Sequence, residues 1–404
     1  MNESYFVENK SYFVENASYF DGLAHVTVEE LNDRETVTRI AAIIYLSLLM
    51  IIGVPGNLLV IAVYHLSVKR RTTNRLFITA LAVSDFLVCT MTIPFEIIQM
   101  THQLTFYSNW TCKIFRAINV LLPLVSSFIL IALSGDRMRR VCQPLRSQLT
   151  PRQALRCVLF VSFGALLFSW PEAVISGITE SSLINNLTGY DCSFSDRFVG
   201  TSYTTIYSST LLTIYMSCII ALIIMYIIIG QKVISHAHFR STFTRHKSTD
   251  DTQSTASTNK LNKDIPKYSS EDQRESKSSD EEDRSRQLSE LQSKSSENIT
   301  KCESKILDRK GEMKLSQSSR KVTKIAFVIS FCFILSYIPS VAVKLNASVA
   351  SGNFVSNATT KAVFPILART FIINNIVNPI IYWFLDLTFR EKSTIIFNRL
   401  ICRT

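Results

Sequence analysis

Seven long apolar stretches alternate with polar segments along the 404 residues of the chain. Each stretch reaches about 20 residues, which is the length that an α-helix needs to cross a bilayer. The pattern therefore predicts an all-α integral membrane protein, built as a bundle of seven transmembrane helices. The predicted spans are Ile40–Leu66, Arg75–Met100, Cys112–Met138, Ala154–Gly177, Tyr203–Val233, Val322–Leu345 and Ala362–Leu385.

Two polar segments, residues 1–39 and residues 236–320, separate the chain into helices one to five at 40–235 and helices six and seven at 321–386. The first segment carries a tandem repeat of Ser-Tyr-Phe-Val-Glu-Asn, which is far shorter than a solenoid repeat. The second is rich in Ser, Lys, Asp and Glu and poor in aromatic residues, so it has too little apolar surface to fold. We expect both to be disordered. The serines of the second are either phosphorylation sites or part of a solvated spacer.

Basic residues cluster on one side of the predicted bundle. They follow the first span, flank the link between the third and fourth spans, and follow the seventh, whereas the opposite loops contain few. Because positive residues favour the cytoplasmic side, we expect the amino terminus outside the cell and the protein in the plasma membrane. The net charge of +11 then faces membrane lipid rather than nucleic acid. No signal peptide precedes the first span, so that span is expected to direct membrane insertion.

N-glycosylation triplets test this orientation independently. Seven Asn-x-Ser/Thr triplets lie on the predicted outer side, and one, at Asn298, lies on the inner side. One triplet arises easily by chance, but seven on one side favour glycosylation of an outer surface. The seven asparagines are Asn2, Asn9, Asn16, Asn109, Asn186, Asn346 and Asn357.

Two of the nine cysteines stand apart by position. Most of the others lie within apolar helices or face the reducing cytosol, where disulfides are rare. Cys112 opens the third span on the outer side, and Cys192 lies in the loop between the fourth and fifth spans. A bridge between them would hold that loop over the helical bundle. The alternative leaves two exposed thiols in an oxidising compartment.

Six short motifs occur in register on the predicted spans. They are Gly56-Asn57, Leu81-Ala82-Val83-Ser84-Asp85, Asp136-Arg137, the following Val141, Pro144 and Leu145, the pair Phe333 and Pro339, and Asn378-Pro379-Ile380-Ile381-Tyr382. With them the chain resembles a rhodopsin-like (class A) G-protein-coupled receptor, everywhere except in the two polar segments. Asp386 and Phe389 begin what resembles the family's short amphipathic eighth helix, which places that helix and a cytoplasmic tail at 387–404.

The resemblance implies an activation switch and its partners. The Asp136 carboxylate would hold the Arg137 guanidinium until Arg137 is released to contact an inserted G-protein helix. Proline-weakened sixth and seventh helices offer bistable elements that an extracellular ligand biases. The implied partners are a heterotrimeric G protein, arrestin and receptor kinases. The switch residues are Asp136, Arg137, Tyr226, Phe333, Tyr337, Pro339, Asn378, Pro379 and Tyr382.

Three residues depart from the family pattern in this switch, and one of them, Met138, replaces the tyrosine that usually follows Asp136-Arg137. Tyr337 stands where the family usually has tryptophan, and Cys218 stands where a proline usually kinks the fifth helix. They leave the expected fold unchanged, but bear on how the sixth and fifth helices switch.

A polar cluster at mid-membrane matches the sodium site of related receptors. Asp85 is an acidic residue at a depth where an unpartnered charge is costly. The resemblance places Ser126, Asn374 and Asn378 beside it, with Asn57 nearby. Oxygen ligands around one carboxylate suit a hard cation, so we expect sodium as an allosteric modulator and no obligatory cofactor. The alternative is a dry or water-filled polar network.

The outer half of the bundle is expected to bind the ligand. Asn119 replaces the aspartate with which amine receptors hold their ligand, so a monoamine is not expected. The expected pocket residues are Glu96, Gln99, Arg116, Asn119, Glu172, Lys344 and Arg369. These side chains suggest an anion or a polar peptide, although a basic residue near a helix end also arises by snorkelling. The position of Pro94 within Thr92-Ile93-Pro94-Phe95 is similar to that of a proline in peptide receptors, and this similarity favours a neuropeptide-like ligand.

Two other functions compete with a signalling receptor. A receptor that no longer signals would act as a scaffold, and a secondary transporter would also use intramembrane polar residues and broken helices. A transporter usually shows inverted repeats, and none is visible in the sequence. An enzyme is not expected, because the sequence has neither an H-E-x-x-H nor a G-x-S-x-G motif.

Overall fold

The computed structural model describes residues 26–66, 72–183, 187–199, 201–261, 321–343 and 358–401. Its contacts separate two units, Gly230–Thr323 and the remainder of the chain. The remainder, which is the larger unit, holds the helical bundle. In the smaller unit, Gly230–Thr323, the described residues are helical.

Eight helices occur in the described part of the chain, and we number them in chain order. They are α1 Val28–Ile61, α2 Thr73–Thr101, α3 Asn109–Cys142, α4 Pro151–Ile175, α5 Ser202–Leu261, α6 Lys321–Val343, α7 in two pieces (Ala358–Ala368 and Asn374–Leu385) and α8 Leu387–Ile401. Among the described residues, six helices are long and apolar enough to cross a membrane, and α7 makes a seventh when its two pieces count as one span. The predicted seven-helix bundle is confirmed.

One β-hairpin lies between α4 and α5, where the sequence predicted no strands. Its strands are β1 Ser176–Ser182 and β2 Thr188–Phe194, which pair antiparallel with Ile178 opposite Cys192. The predicted fourth span ended at Gly177, whereas the helix ends at Ile175 because the chain turns directly into β1.

The first helix begins well before the predicted boundary at residue 39. Thr27 caps it by accepting a hydrogen bond from the Glu30 amide at 3.3 Å, and Glu29 and Glu30 complement the positive end of the helix dipole. Asn32 is buried in the added turns, where its side chain donates to the Thr101 carbonyl at 2.7 Å. The polar start of α1 was therefore mistaken for part of the tail. Residues 1–25 lie outside the described residues.

The fifth helix also extends beyond its predicted end. It continues to Leu261, so residues 236–261, which were predicted to be disordered, are helical. Residues 262–320 of the predicted loop lie outside the described residues.

The seventh span breaks at a different place from the one its proline suggested. Its two pieces meet at 49°, with Arg369 at the break and a 3₁₀ turn at Thr370–Ile373. Pro379 lies inside the second piece and packs against α1. A Cβ atom on Gly56 would lie 3.1 Å from the ring of Pro379, a tight contact, so this close approach favours glycine at position 56.

The eighth helix is present as predicted, at Leu387–Ile401. Asp386 caps it, because its carboxylate accepts hydrogen bonds from the amides of Thr388 at 3.0 Å and Phe389 at 3.3 Å. Phe389 is 1% exposed and stacks on Tyr64 of the π-helical turn that ends the first span, with ring centroids 5.7 Å apart. The cap and this ring fix α8 against the bundle.

Candidate functional site

A disulfide joins the hairpin to the start of α3. Cys112 and Cys192 are bonded, with their Cα atoms 5.5 Å apart, and the predicted bridge is confirmed. Gln99 of α2 donates to the Cys192 carbonyl at 2.7 Å, which fixes the hairpin to a second helix. The hairpin is therefore anchored at the end of the bundle where the expected ligand residues lie, and we call this end the disulfide end.

Arg116 pairs with Glu172 at the disulfide end. Its guanidinium lies 2.7 Å from the Glu172 carboxylate and donates to the Ser176 hydroxyl at 3.2 Å. Ser176 in turn donates to Glu172 at 3.0 Å, and Glu172 is only 4% exposed. The guanidinium also lies 5.3 Å from the ring centroid of Phe194, within reach of a cation–π contact. These contacts tie α3, α4 and the hairpin together.

Arg369 pairs with Glu96 at the break in α7. The Arg369 guanidinium donates to the Glu96 carboxylate at 2.6 Å and to the Pro365 carbonyl at 3.2 Å. Asn119 donates to the other oxygen of Glu96 at 2.7 Å. Because α7 breaks here, its own backbone cannot satisfy every carbonyl, and the Arg369 side chain takes over the Pro365 oxygen. Glu96 therefore links α2, α3 and α7.

The predicted ligand residues form two separate charge-balanced networks. Glu96, Asn119 and Arg369 belong to one, and Arg116 and Glu172 to the other. The sequence did not reveal that each arginine has its own carboxylate. Lys344 lies outside the described residues.

Asp191 is a further acidic residue at this end, and the sequence reasoning passed over it. It precedes the disulfide cysteine in β2 and lies within electrostatic reach of Arg116 and Arg39. Burial raises the pKa of its carboxyl, while the Cys192 amide and the two arginines act in the opposite direction. Its position directly before Cys192 was the signal in the sequence that could have placed it at this end.

Asp85 lies in the middle of the bundle and is fully buried. Its two oxygens accept hydrogen bonds from Ser126 at 3.1 Å and from Asn378 at 2.7 Å. Ser126 is also within 2.9 Å of Ser84. No ion pair involving Asp85 occurs among the described residues, so its charge is met only by neutral donors.

Three amide oxygens of α1 and α7 are buried without a hydrogen-bond partner among the described residues. The side-chain oxygens of Asn57, Asn374 and Asn378 are buried and accept no hydrogen bond from the described residues. The Asn57 nitrogen bonds the carbonyls of Gly53 at 3.0 Å and Asn375 at 2.8 Å, so its oxygen is the free end. A buried carboxylate beside orphaned amide oxygens is a donor set that fits a hard cation such as sodium.

The opposite end of α3 carries a buried pair of adjacent charges. The guanidinium of Arg137 donates to the Asp136 carboxylate at 2.6 Å, and both residues are under 5% exposed. Arg140 donates to the same oxygen at 2.8 Å. The structure thus forms the local pair that the sequence suggested and adds Arg140, which lies one helical turn further on. We call this the arginine end of the bundle.

Three hydroxyl groups join α3, α5 and α6 near the arginine end. The Tyr226 hydroxyl lies 3.1 Å from Ser134 and accepts from Ser330 at 3.1 Å, and the two serines are 3.3 Å apart. Tyr226 was predicted from the sequence as a switch residue, whereas neither serine was. Each precedes a motif residue by three positions, Arg137 and Phe333 respectively, so helical spacing was the available signal.

The aromatic residue that departs from the family pattern lies in a ring cluster. Tyr337 is 5% exposed, and its ring centroid lies 4.4 Å from Phe333, 5.5 Å from Tyr215 and 5.8 Å from Phe371. Its partners come from α5, α6 and α7. Tyr337 therefore fills a core position between three helices.

Tyr382 packs toward α1 and α8. Its ring lies 5.8 Å from Tyr64 and 6.1 Å from Phe389, and its hydroxyl is buried without a partner among the described residues. The Tyr64 hydroxyl donates to Asp386. Tyr64 was also missed, although it follows Asn57 by seven positions and so shares its helix face.

Of the seven predicted glycosylation sites, Asn109 is described. It begins α3 at the disulfide end, is exposed, and accepts a hydrogen bond from the Ile178 amide at 3.4 Å. The other six asparagines lie outside the described residues.

Comparison with known proteins identifies the family. Residues 56–382 match the family described as 7 transmembrane receptor (rhodopsin family). Two similar relatives are a cholecystokinin receptor type A of Cavia porcellus, 30% identical over 154 residues, and a 5-hydroxytryptamine receptor 4 of Homo sapiens, 30% identical over 164 residues. These alignments cover 38% and 37% of this chain, and 36% and 42% of the relatives.

The fold comparison extends over most of the chain. A crystal structure of squid rhodopsin superposes with a TM-score of 0.59 at 20% identity, covering 91% of this chain and 87% of that one. This likeness shows the fold alone. Together with the match over residues 56–382, it leads to one conclusion: the chain belongs to the rhodopsin family of seven-transmembrane receptors.

Proposed function

We propose that this chain is a plasma-membrane receptor that binds an extracellular peptide at its disulfide end and activates a heterotrimeric G protein at its arginine end. The amino terminus and the hairpin face outside the cell in this proposal. The positive-inside distribution of basic residues and the exposed Asn109 triplet at the disulfide end support that orientation.

The observation that carries the proposal is the buried Arg137. A guanidinium that is 4% exposed costs free energy unless a carboxylate balances it, and Asp136 supplies that carboxylate from the neighbouring position. The Arg137 Nε atom has no partner among the described residues, so the group retains a free donor. Its role here is to hold the resting state, and after release to donate to carbonyl groups of the G protein.

The ligand is a polar peptide rather than a simple anion. Each described arginine of the expected pocket, Arg116 and Arg369, already contacts a carboxylate within 3 Å. An anion alone would compete with Glu172 or Glu96, whereas a peptide offers both signs of charge and can bind both members of a pair. The third helix carries an amide at position 119, and this amide donates to Glu96. It therefore offers no acidic side chain that could pair with a monoamine there.

Sodium is proposed as a modulator that binds at Asp85. The supporting observation is the set of buried oxygens described above, in which Ser126, Asn374 and Asn378 would complete the coordination beside the carboxylate. A bound cation would neutralise Asp85 and hold α2, α3 and α7 in the described arrangement.

Two further features belong to the same proposal. The outer triplets, including Asn109, carry N-glycans. Arrestin and receptor kinases act at the arginine end, where the serine-rich segment at 236–320 supplies hydroxyl groups for phosphorylation.

A peptide screen tests the proposed function. The full chain is expressed with a promiscuous G protein and challenged with a library of peptides, with surface expression measured in parallel. We expect at least one peptide to signal, and we expect Arg116→Ala and Arg369→Ala to reduce its potency by about tenfold or more, because each removal leaves a partly buried carboxylate unpaired. Arg39→Ala is the matched control, since the Arg39–Glu35 pair is wider, at 3.5 Å.

The screen has two outcomes that contradict the proposal. A peptide whose potency is unchanged in both arginine variants would place its site elsewhere. A small anion that signals in place of every peptide would overturn the ligand class.

A further inference from the structure

We propose that an anionic phospholipid binds with one acyl chain in a groove between α5 and α6. The groove has a volume of about 230 Å³ and is lined by Ile223, Tyr226, Ile227, Phe327, Phe331 and Ile334. It lies within the membrane-spanning part of both helices and outside the polar pocket at the disulfide end. We call it the α5–α6 groove.

The walls of the groove are apolar and face the hydrocarbon of the bilayer. Ile227 is 54% exposed and Phe331 is 50% exposed, which in a spanning helix means contact with lipid. The rings of Phe327 and Phe331 are stacked, with centroids 6.2 Å apart, and Tyr226 meets Phe327 edge-on at 5.4 Å. Since lipid is as apolar as these side chains, close packing in the groove, rather than escape from water, would hold an acyl chain there.

The groove runs along α6 from Phe327 to Ile334, and Lys324 lies one turn before it on the same face. Lys324, Phe327, Phe331 and Ile334 follow one another at positions i, i+3, i+7 and i+10, so they share one face of α6. Ten residues of helix rise by about 15 Å, which is half of a hydrocarbon core of about 30 Å. For a lipid whose headgroup lies beside Lys324, the groove would therefore hold the part of the acyl chain between Phe327 and Ile334, near mid-membrane.

Lys324 selects the charge of the headgroup. It is exposed at the arginine end of α6 and forms no ion pair within the part of the chain that the structure describes. Its ammonium group follows directly on the apolar stripe, so it meets the phosphate or carboxylate of a lipid whose chain fills the groove. A headgroup with a net negative charge is attracted to it, whereas a zwitterionic headgroup carries no net charge.

The groove also touches the hydroxyl cluster that joins three helices. Tyr226 lines the groove with its ring and bonds Ser134 and Ser330 with its hydroxyl. A lipid chain packed on that ring supports α5 and α6 in the described arrangement. This site does not depend on the identity of the ligand at the disulfide end.

Native mass spectrometry of the purified full chain tests the proposal. The protein is exchanged into micelles containing equal amounts of phosphatidylserine and phosphatidylcholine with the same acyl chains, together with cholesterol, and the retained lipids are counted. We expect about fivefold preference for phosphatidylserine, the ratio that corresponds to about 1 kcal/mol for one basic residue at an anionic surface. Lys324→Gln should lower this ratio, whereas Arg152→Gln, which removes an exposed charge at the arginine end, should leave it unchanged.

A second pair of variants tests the groove itself. Ile227→Trp fills it and should lower the number of retained phospholipids, whereas Ile224→Trp, at a position of similar exposure that does not line it, should not. Equal lipid retention in these two variants would overturn the site. An unchanged lipid ratio in Lys324→Gln would overturn the headgroup assignment, and loss of cholesterol rather than phospholipid from Ile227→Trp would show that the groove holds a sterol instead.

Discussion

Asp85 illustrates how single residues set the polar chemistry of this bundle. Its carboxylate is fully buried, and the described residues offer it only the neutral donors Ser126 and Asn378. An isolated buried charge is costly, so a site of this kind either takes a proton or binds a cation. In the proposed function a sodium ion balances this charge, and the buried amide oxygens of Asn57, Asn374 and Asn378, which have no partner among the described residues, support that proposal.

Removal of this single charge should abolish the response to sodium. At a sodium concentration ten times its Kd, binding stabilises the folded protein by about 1.4 kcal/mol, so the wild type should unfold at a higher temperature in sodium than in potassium. Asp85→Asn should unfold at the same temperature in both salts. Asp191→Asn, which makes the same change in the hairpin, should retain the difference. A wild type that does not distinguish sodium from potassium would contradict the assignment.

The Glu96–Arg369 pair is the second interaction that residue-scale measurements can isolate. In a double-mutant cycle with Glu96→Gln and Arg369→Gln, we expect a coupling energy of about 2 kcal/mol, because both side chains are mostly buried and 2.6 Å apart. The Glu35–Arg39 pair of α1 serves as the control, with a coupling energy of about 0.5 kcal/mol expected for a longer i,i+4 contact. Equal coupling energies in thermal unfolding would argue against a role for Glu96 in holding the α7 break.

At the scale of elements, α7 is two helices joined at a polar break. The sequence correctly predicted this span and the following α8. Apolar length and short motifs such as Asn378-Pro379 are local signals, so both could be recognised without knowledge of the fold. It did not predict the position of the break at Arg369. That break depends on Glu96 of α2 and on the Pro365 carbonyl, and a contact between distant parts of the chain leaves no periodic trace in the sequence.

The same limit explains the other differences between prediction and structure. The early start of α1 depends on the cap at Thr27 and on the contact of Asn32 with Thr101. Thr27 and Asn32 lie in a polar stretch that has no helical pattern of apolar residues, so the sequence did not indicate this start. The pairing of Arg116 with Glu172 and of Arg369 with Glu96 likewise joins residues that are far apart in the sequence. Conversely, Asp136 and Arg137 are neighbours in the chain, and the geometry of their pair followed from that adjacency.

The junction of α3, α5 and α6 gives a prediction at this scale. Tyr226→Phe removes the hydroxyl that lies between Ser134 and Ser330, and we expect a loss of about 1 kcal/mol in stability, measured by thermal unfolding, because both serines then lose a buried partner. Tyr207→Phe is the control, since its hydroxyl bond to the Phe168 carbonyl is exposed and its loss should cost less than about 0.5 kcal/mol. Equal losses in the two variants would show that the buried cluster does not hold the three helices.

At the scale of the whole molecule, the bundle carries a polar site at each end and a polar cluster between them. The disulfide end holds two charge-balanced networks, and the middle holds Asp85. The arginine end holds Asp136 with Arg137 and Arg140. The networks at the disulfide end and the cluster around Asp85 each join at least two helices, so a ligand that alters one of them changes contacts between helices. A few kcal/mol of differential affinity is enough to shift such a two-state equilibrium.

The most direct test of the central claim is guanine-nucleotide exchange on purified heterotrimeric G proteins by the purified, membrane-reconstituted chain. One member of each main G-protein class is tested, with and without the peptide library. We predict accelerated exchange on at least one class, increased by peptide, and at least tenfold slower in Arg137→Ala, while Arg152→Ala, an exposed arginine at the same end, exchanges at the wild-type rate. A correctly folded chain that accelerates exchange on none of the classes, or an Arg137→Ala variant as active as the wild type, would contradict the account.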